Sequence, residues 1–281
     1  MIDKTIEERG FFVTNTIKDT LKKILYNPIV LVLLIPATYL MIGTIYALQY
    51  TSLNWIALLL LYAFLFINHY IENYFSKHPL FSKQVVTSKI LLLELLNIVL
   101  IIFISLTTHY LATILIVLYS LIVHFQHTLK LFNLTGISIA ILSFFKGGIL
   151  TYLSFFVQIH FIPLELFKWS LPLILLNVCT ELGRHFVQRP AIQQQYKKSL
   201  LLINSLVALV YIISVVFLYT SFQQLLLLFL CTVPFTLRFV KLFNPNKEQS
   251  SKRFSLKTIS IFQISYLLIF ALIEILHFYF L

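Results

Sequence analysis

The sequence predicts an all-α membrane protein, a bundle of nine transmembrane helices with a cytoplasmic N-terminus. Three features predict it: long apolar runs, few charges, and basic residues confined to one side. Of the 281 residues, 59% are hydrophobic and only 11% are charged, which is more apolar surface than a water-soluble domain can bury. We therefore expect a multi-pass protein of the cell membrane, with membrane lipids as its immediate partners. Topology and anionic headgroups account for the net charge of +11, so no nucleic-acid partner is expected.

The first 27 residues differ from the remainder of the chain. Val13, Ile17, Leu21 and Ile24 recur at helical spacing among lysines. This pattern predicts a cytoplasmic or interfacial amphipathic leader that is not cleaved, with a plain solvated leader as the alternative. We expect residues 28–281 to form a single transmembrane helical domain.

Nine apolar runs follow the leader, each near the roughly 20 residues that a bilayer-spanning helix needs. Their predicted bounds are 28–49, 53–70, 90–108, 110–126, 134–157, 161–180, 199–220, 222–240 and 258–281.

The basic residues orient these nine crossings. With an odd number of helices, all but two of the 21 Lys and Arg residues fall on one face of the membrane. The exceptions are Lys168, on the other face, and Lys146, inside the fifth run. Because Lys and Arg are enriched in cytoplasmic loops, the N-terminus is predicted to be cytoplasmic.

Polar residues that topology alone does not require mark the ends of helices 2 and 6. The first segment reads NHYIENYFSKHPLFS from Asn68 to Ser82, and the second reads ELGRHFVQRP from Glu181 to Pro190. We expect both segments at the cytoplasmic edge of the membrane, where they would face a common pocket.

The first segment resembles a known motif, NDxxDxxxD followed by a basic stretch and a Pro-Leu pair. Asn68, Glu72, Lys77, Pro79 and Leu80 fall on corresponding positions. This is the first Asp-rich motif of the UbiA superfamily of intramembrane prenyltransferases, which follows helix 2 of that family.

Two further regions carry the same resemblance. Gly183 and Arg184 resemble the start of the family's second motif, after helix 6, from which Arg189 then departs. Lys130 and Gly136 resemble a Lys-x-x-x-x-x-Gly run at the connection between helices 4 and 5. The likeness therefore touches most of the chain.

The resemblance implies transfer of an isoprenoid from a prenyl diphosphate to a small or lipid acceptor, with Mg²⁺ as cofactor if the protein is active. An isoprenoid diphosphate and a hydrophobic acceptor are the expected partners, and no catalytic residue is assigned. The expected metal ligands are Glu72 and Glu181. The expected substrate-binding residues are Asn68, Lys77, Lys130, Lys146, Arg184 and Arg189.

The chain departs from the family in its acids. His69 and Ser76 replace two acids of the first motif, and the only aspartates, Asp3 and Asp19, lie in the leader. Because Mg²⁺ prefers carboxylate oxygens, a two-metal cluster is under-supplied, and activity is expected to be reduced or altered. Basic side chains can instead neutralise phosphate oxygens directly.

Each candidate also has a plainly structural interpretation. Glu72 either binds metal or pairs with a neighbouring basic side chain, and Asn68 either orients a ligand or caps helix 2. Glu181 and Arg184 are three residues apart, so they either form a site or pair with each other.

Lys146 lies inside a predicted span, where an ammonium group is costly and normally turns toward a cavity or a partner. Gly147 and Gly148 allow a close helix approach or a kink at this point. Glu274 in the last helix is a candidate partner. The alternative is that the span is shorter and Lys146 extends outward to the interface.

Three functions follow from these patterns. The leading hypothesis is a UbiA-like prenyltransferase. A second is a catalytically inactive UbiA-like protein that binds lipid. A small membrane transporter is less favoured, because no pair of Gly/Pro-broken helices stands at corresponding places in two halves of the chain.

Overall fold

The computed structural model describes residues 26–75, 88–188, 196–244 and 251–280. Within these ranges all regular structure is helical and no strand occurs. Residues 1–25 of the predicted leader and two candidate site residues, Lys77 and Arg189, lie outside the described residues.

Ten α-helices, one π-helical segment and one 3₁₀-helix make up the described chain. They are α1 Pro28–Ala47, α2 Trp55–Phe75, α3 Ser88–Thr107, α4 Tyr110–Leu131, α5 Thr135–Phe144, the π segment Phe145–Ile149, α6 Leu150–Ile159, α7 Leu164–Gln188, α8 Tyr196–Phe222, the 3₁₀-helix Gln223–Thr232, α9 Val233–Lys241 and α10 Lys252–Phe280.

The start of α1 follows from two adjacent residues. The side chain of Asn27 accepts a hydrogen bond from the backbone N–H of Ile29 at 3.0 Å, and Pro28 occupies the first helical position. An Asn cap satisfies an otherwise unpaired N–H group, and the fixed φ of proline suits the first turn.

Seven stretches of the described chain are long and apolar enough to cross a membrane, so this is a multi-pass helical protein by length and composition. Two features separate these seven from the nine predicted runs. Helix α7 is not among the seven, and residues 199–241 count as one stretch of 43 residues.

That 43-residue stretch folds back on itself. The hydroxyl of Tyr211 hydrogen-bonds those of Thr232 and Thr236, although Tyr211 and Thr232 would lie about 30 Å apart along a straight helix. The helix breaks at Gln223, whose φ is 42°. After the break, the 3₁₀-helix and α9 together rise about 33 Å, close to the hydrocarbon thickness of a bilayer. The stretch is therefore a helical hairpin with its turn near the boundary that the sequence predicts.

Helix α1 packs against α2, α6 and α10. A Cβ atom on Gly43 would lie 2.1 Å from the carbonyl oxygen of Thr151, so glycine is needed for α1 to approach α6 so closely. The outer helices α3, α4 and α8 expose much of their apolar surface, as lipid-facing helices do.

Both helices that carry the polar segments continue beyond their predicted ends. Helix α2 ends at Phe75 rather than residue 70, and α7 ends at Gln188 rather than residue 180. The predicted ends are wrong because charged residues lower the local hydropathy, although the backbone hydrogen bonds of the helix continue through them. As a result, Glu72, Glu181 and Arg184 lie within helices, as Asn68 does.

Candidate functional site

The π segment places a lysine inside the bundle. Lys146 lies in this segment with only 1% of its surface exposed, so the alternative of an outward-extending side chain is wrong. A Cβ atom on the next residue, Gly147, would lie 2.5 Å from the backbone nitrogen of Ile174. The π segment therefore packs directly against the backbone of α7, and its longer turn is a form often found at functional sites.

The ammonium group of Lys146 joins α2 to α7. Its Nζ donates to Glu72 Oε1 at 2.8 Å and to Glu181 Oε1 at 3.0 Å. Glu181 Oε1 also accepts a 2.6 Å hydrogen bond from Nη1 of Arg184. We call Glu72, Lys146, Glu181 and Arg184 the charged cluster. The acids of the two polar segments thus meet at one cation from a third helix.

A network of polar side chains holds one side of the charged cluster. Nη2 of Arg184 donates to Gln263 Oε1 at 2.8 Å. The Gln263 amide in turn donates to the Tyr39 hydroxyl at 2.7 Å and to Asn177 Oδ1 at 2.8 Å. Helices α1, α7 and α10 are therefore cross-linked around Arg184, and hydrogen-bonded neighbours restrict its rotamers.

Asn68 belongs to a second polar network. It is fully buried, and its Nδ2 donates to Asn97 Oδ1 and to the Phe64 carbonyl oxygen, both at 2.9 Å. The Asn97 amide continues the chain to the Ser120 hydroxyl at 3.0 Å. The interpretation of Asn68 as a helix cap is wrong, because it lies inside α2 and links that helix to α3 and α4.

Lys130, near the end of α4, is partly buried. It interacts electrostatically with Glu181 and Glu72, and with the like charges of Lys146 and Arg184. It forms no hydrogen bond or ion pair with the residues that the structure describes. Lys130 is thus an additional positive charge beside the charged cluster.

The charged cluster sums to zero when its two carboxylates, the ammonium and the guanidinium are all ionised. Lysine has three N–H donors and arginine has five. Lys146 uses two of them and Arg184 uses two, within the described residues. Donors of both groups, together with the ammonium of Lys130, therefore have no protein partner among the described residues.

The predicted pair of metal ligands is already engaged. The facing oxygens of Glu72 and Glu181 both bind Lys146, and the described chain has no group of three His, Cys, Asp or Glu side chains that could hold a metal ion. Two buried oxygens one turn apart on α2, Asn68 Oδ1 and Glu72 Oε2, have no hydrogen-bond partner in the described part. A magnesium ion bridging the two glutamates does not fit, because the ammonium stands between them.

Lys146 and Glu274 do not pair. Glu274 is fully buried, and neither of its carboxylate oxygens has a hydrogen-bond partner among the described residues. The partners of Lys146 are instead the two glutamates of the polar segments. Sequence reasoning also missed Gln263, whose only signal was a lone amide within the apolar run of the last helix.

Comparison of the chain with family models, with curated proteins and with solved structures gives no match.

Proposed function

We propose that this chain is a UbiA-like membrane prenyltransferase that transfers an isoprenoid from a prenyl diphosphate to a small or lipid acceptor. The observation that carries the proposal is the meeting of Glu72 and Glu181 at the ammonium of Lys146. In the proposed architecture, the ends of the second and sixth crossings enclose one site, and these two glutamates stand at those ends.

The proposed architecture has nine crossings and a cytoplasmic N-terminus in the cell membrane. The hairpin of residues 199–241 supports two crossings in place of one. Helix α7, with 25 residues, is about 37 Å long, which is enough to cross. With these two additions the seven apolar stretches become nine, and the basic loops then fall on the cytoplasmic side.

The basic side chains can stabilise the negative charge of a departing diphosphate. In the proposed reaction the allylic C–O bond breaks, the electron pair leaves with the diphosphate, and the prenyl cation bonds to the acceptor, which releases a proton. Hydrogen-bond donors directed at the leaving group stabilise the developing charge. Lys130, Lys146 and Arg184 have donors for this role, and Glu72 and Glu181 orient the latter two.

A second candidate is a catalytically inactive relative that binds lipid. The full pairing of two carboxylates with two cations favours it, because paired cations stabilise a leaving group less than free ones do. The transport hypothesis loses its main support, since Lys146 bonds Glu72 and Glu181 rather than Glu274.

The test is turnover by the purified full-length chain in lipid nanodiscs. Farnesyl or geranylgeranyl diphosphate is supplied with a panel of aromatic and lipid acceptors, and pyrophosphate release is measured. We expect the wild type to exceed a Glu72→Gln variant by about tenfold, because loss of one hydrogen-bonded charge costs at least about 1.4 kcal/mol. Equal release from both proteins would count against the enzyme. Retention of the prenyl diphosphate without turnover would support the lipid-binding candidate.

Lys130 gives a prediction of its own. Because its ammonium has no described ion-pair partner, Lys130→Met is expected to weaken prenyl diphosphate binding by about tenfold, the value of one charge-assisted hydrogen bond. The matched control is Lys168→Met, which removes an exposed lysine from the opposite end of α7. Equal affinity of both variants, measured by ligand titration, would remove Lys130 from the site.

A further inference from the structure

The ammonium of Lys146 occupies the place between two carboxylates that a divalent metal takes in a metal-bridged diphosphate site. We propose that Lys146 is a permanent, built-in substitute for that metal, and that the site binds a diphosphate-bearing lipid without a divalent cation. This inference rests on the proposed function, because it concerns how the same site holds the same ligand.

Geometry is the first support. Mg²⁺ needs near-octahedral oxygen ligands at about 2.0–2.1 Å. The two oxygens that would bridge it, Glu72 Oε1 and Glu181 Oε1, lie 2.8 Å and 3.0 Å from Nζ of Lys146. A metal between these oxygens would overlap the ammonium group, so one cation excludes the other.

The second support is that Lys146 has little freedom to leave. Its side chain is 1% exposed, and the adjacent Gly147 packs against the α7 backbone at Leu173 and Ile174. An ammonium displaced into surrounding apolar side chains would be buried without a counter-ion, which costs several kcal/mol. The metal would have to supply that free energy as well as its own dehydration.

Charge balance is the third support. The charged cluster is neutral, so a divalent cation would add two uncompensated charges to the interior. An anionic ligand instead finds the positive charge of Lys130 and the remaining donors of Lys146 and Arg184. Of these three side chains, Arg184 and Lys130 are the partly exposed ones, which defines the side from which a phosphate group would approach.

Within the part of the chain that the structure describes, Asn68 Oδ1 and Glu72 Oε2, one turn apart on α2, are buried oxygens without a hydrogen-bond partner. They supply one formal charge between them, and Nδ1 of His69 lies 3.7 Å from Glu72 Oε2. Two such oxygens are fewer than a protein normally offers a metal that it binds in the absence of substrate phosphates. A hydrogen-bond donor from water or from the ligand suits these two oxygens better than a metal ion does.

The first test measures thermal unfolding of ligand-free protein in detergent, with magnesium chloride or with EDTA. We expect no shift for the wild type. In Lys146→Ala the two carboxylates lose their cation, and magnesium should then raise the unfolding temperature by about 5 °C. The matched control, Lys146→Ala with Glu181→Gln, should lose that shift because one ligand is gone.

A rise in the unfolding temperature of the wild type on adding magnesium would overturn the inference. It would indicate Asn68 Oδ1 and Glu72 Oε2 as the metal ligands. If the alanine variant does not fold, titration of the wild type with Mn²⁺ by electron paramagnetic resonance decides alone. Retention of all Mn²⁺ in its free form at millimolar concentration supports the built-in cation, and stoichiometric binding contradicts it.

The second test separates this inference from the proposed function. Farnesyl diphosphate binding to the wild type is measured by titration in EDTA and in magnesium, and we expect affinities within threefold of each other. Binding only with magnesium would overturn the built-in cation and leave the proposed function standing. An absence of binding in both conditions would refute the proposed function. The unfolding temperatures of the ligand-free protein with magnesium and with EDTA do not depend on that ligand, so their result would still stand.

Discussion

Replacing Lys146 with methionine is expected to destabilise the bundle by about 3–5 kcal/mol, the usual cost of removing one partner from a buried ion pair. The carboxylates of Glu72 and Glu181 would remain buried without the ammonium between them, and Arg184 would still pair with Glu181. Methionine matches the lysine side chain as far as Cε, so the loss would mainly reflect the missing ammonium group rather than a cavity. Denaturant unfolding in detergent micelles, followed by circular dichroism, measures the change.

The control for this prediction is Lys130→Met. Lys130 makes no ion pair in the described residues, so its loss should change the unfolding free energy by less than about 1 kcal/mol. Equal losses in the two variants would show that Lys146 is not held between two carboxylates.

A second large effect is expected at Gly147. In Gly147→Ala the new methyl group would lie 2.5 Å from the Ile174 nitrogen and 2.6 Å from the Leu173 carbonyl carbon. Backbone atoms cannot turn aside as a flexible side chain can, so the π segment and α7 must move apart. We expect a loss of about 1–3 kcal/mol, as for other overpacked interiors.

Gly136→Ala is the matched control, since its Cβ would meet nothing within 4 Å. Alanine there should be neutral or stabilising by up to about 1 kcal/mol. The same unfolding assay compares both variants. If Gly147→Ala proved as stable as Gly136→Ala, the close approach of the π segment to α7 would be refuted.

The all-helical, multi-pass class was predictable because hydropathy and length report directly on the solvent of each segment. Helix ends at Glu72 and Glu181 were predicted too early for the same reason. Hydropathy counts an ionised side chain as water-facing, yet pairing with Lys146 allows both residues to remain in the bundle.

The four residues of the charged cluster stood out in the sequence, but their contacts with one another did not. Lys146 stood out because an ammonium group inside a span needs a partner. The candidate partner, Glu274, was wrong, because one-dimensional spacing does not say which helices are neighbours. The π segment at Phe145–Ile149 and the 3₁₀-helix at Gln223–Thr232 have no sequence period that distinguishes them from an α-helix.

A double-mutant cycle between Glu72 and Lys146 tests the meeting of α2 with the buried ammonium most directly. Glu72→Gln combined with Lys146→Met leaves the neutral Glu181–Arg184 pair. We therefore predict that the double variant is more stable than Lys146→Met alone, with a coupling energy of about 2 kcal/mol. Losses that simply add, with no coupling, would contradict the contact on which the site and its proposed function rest.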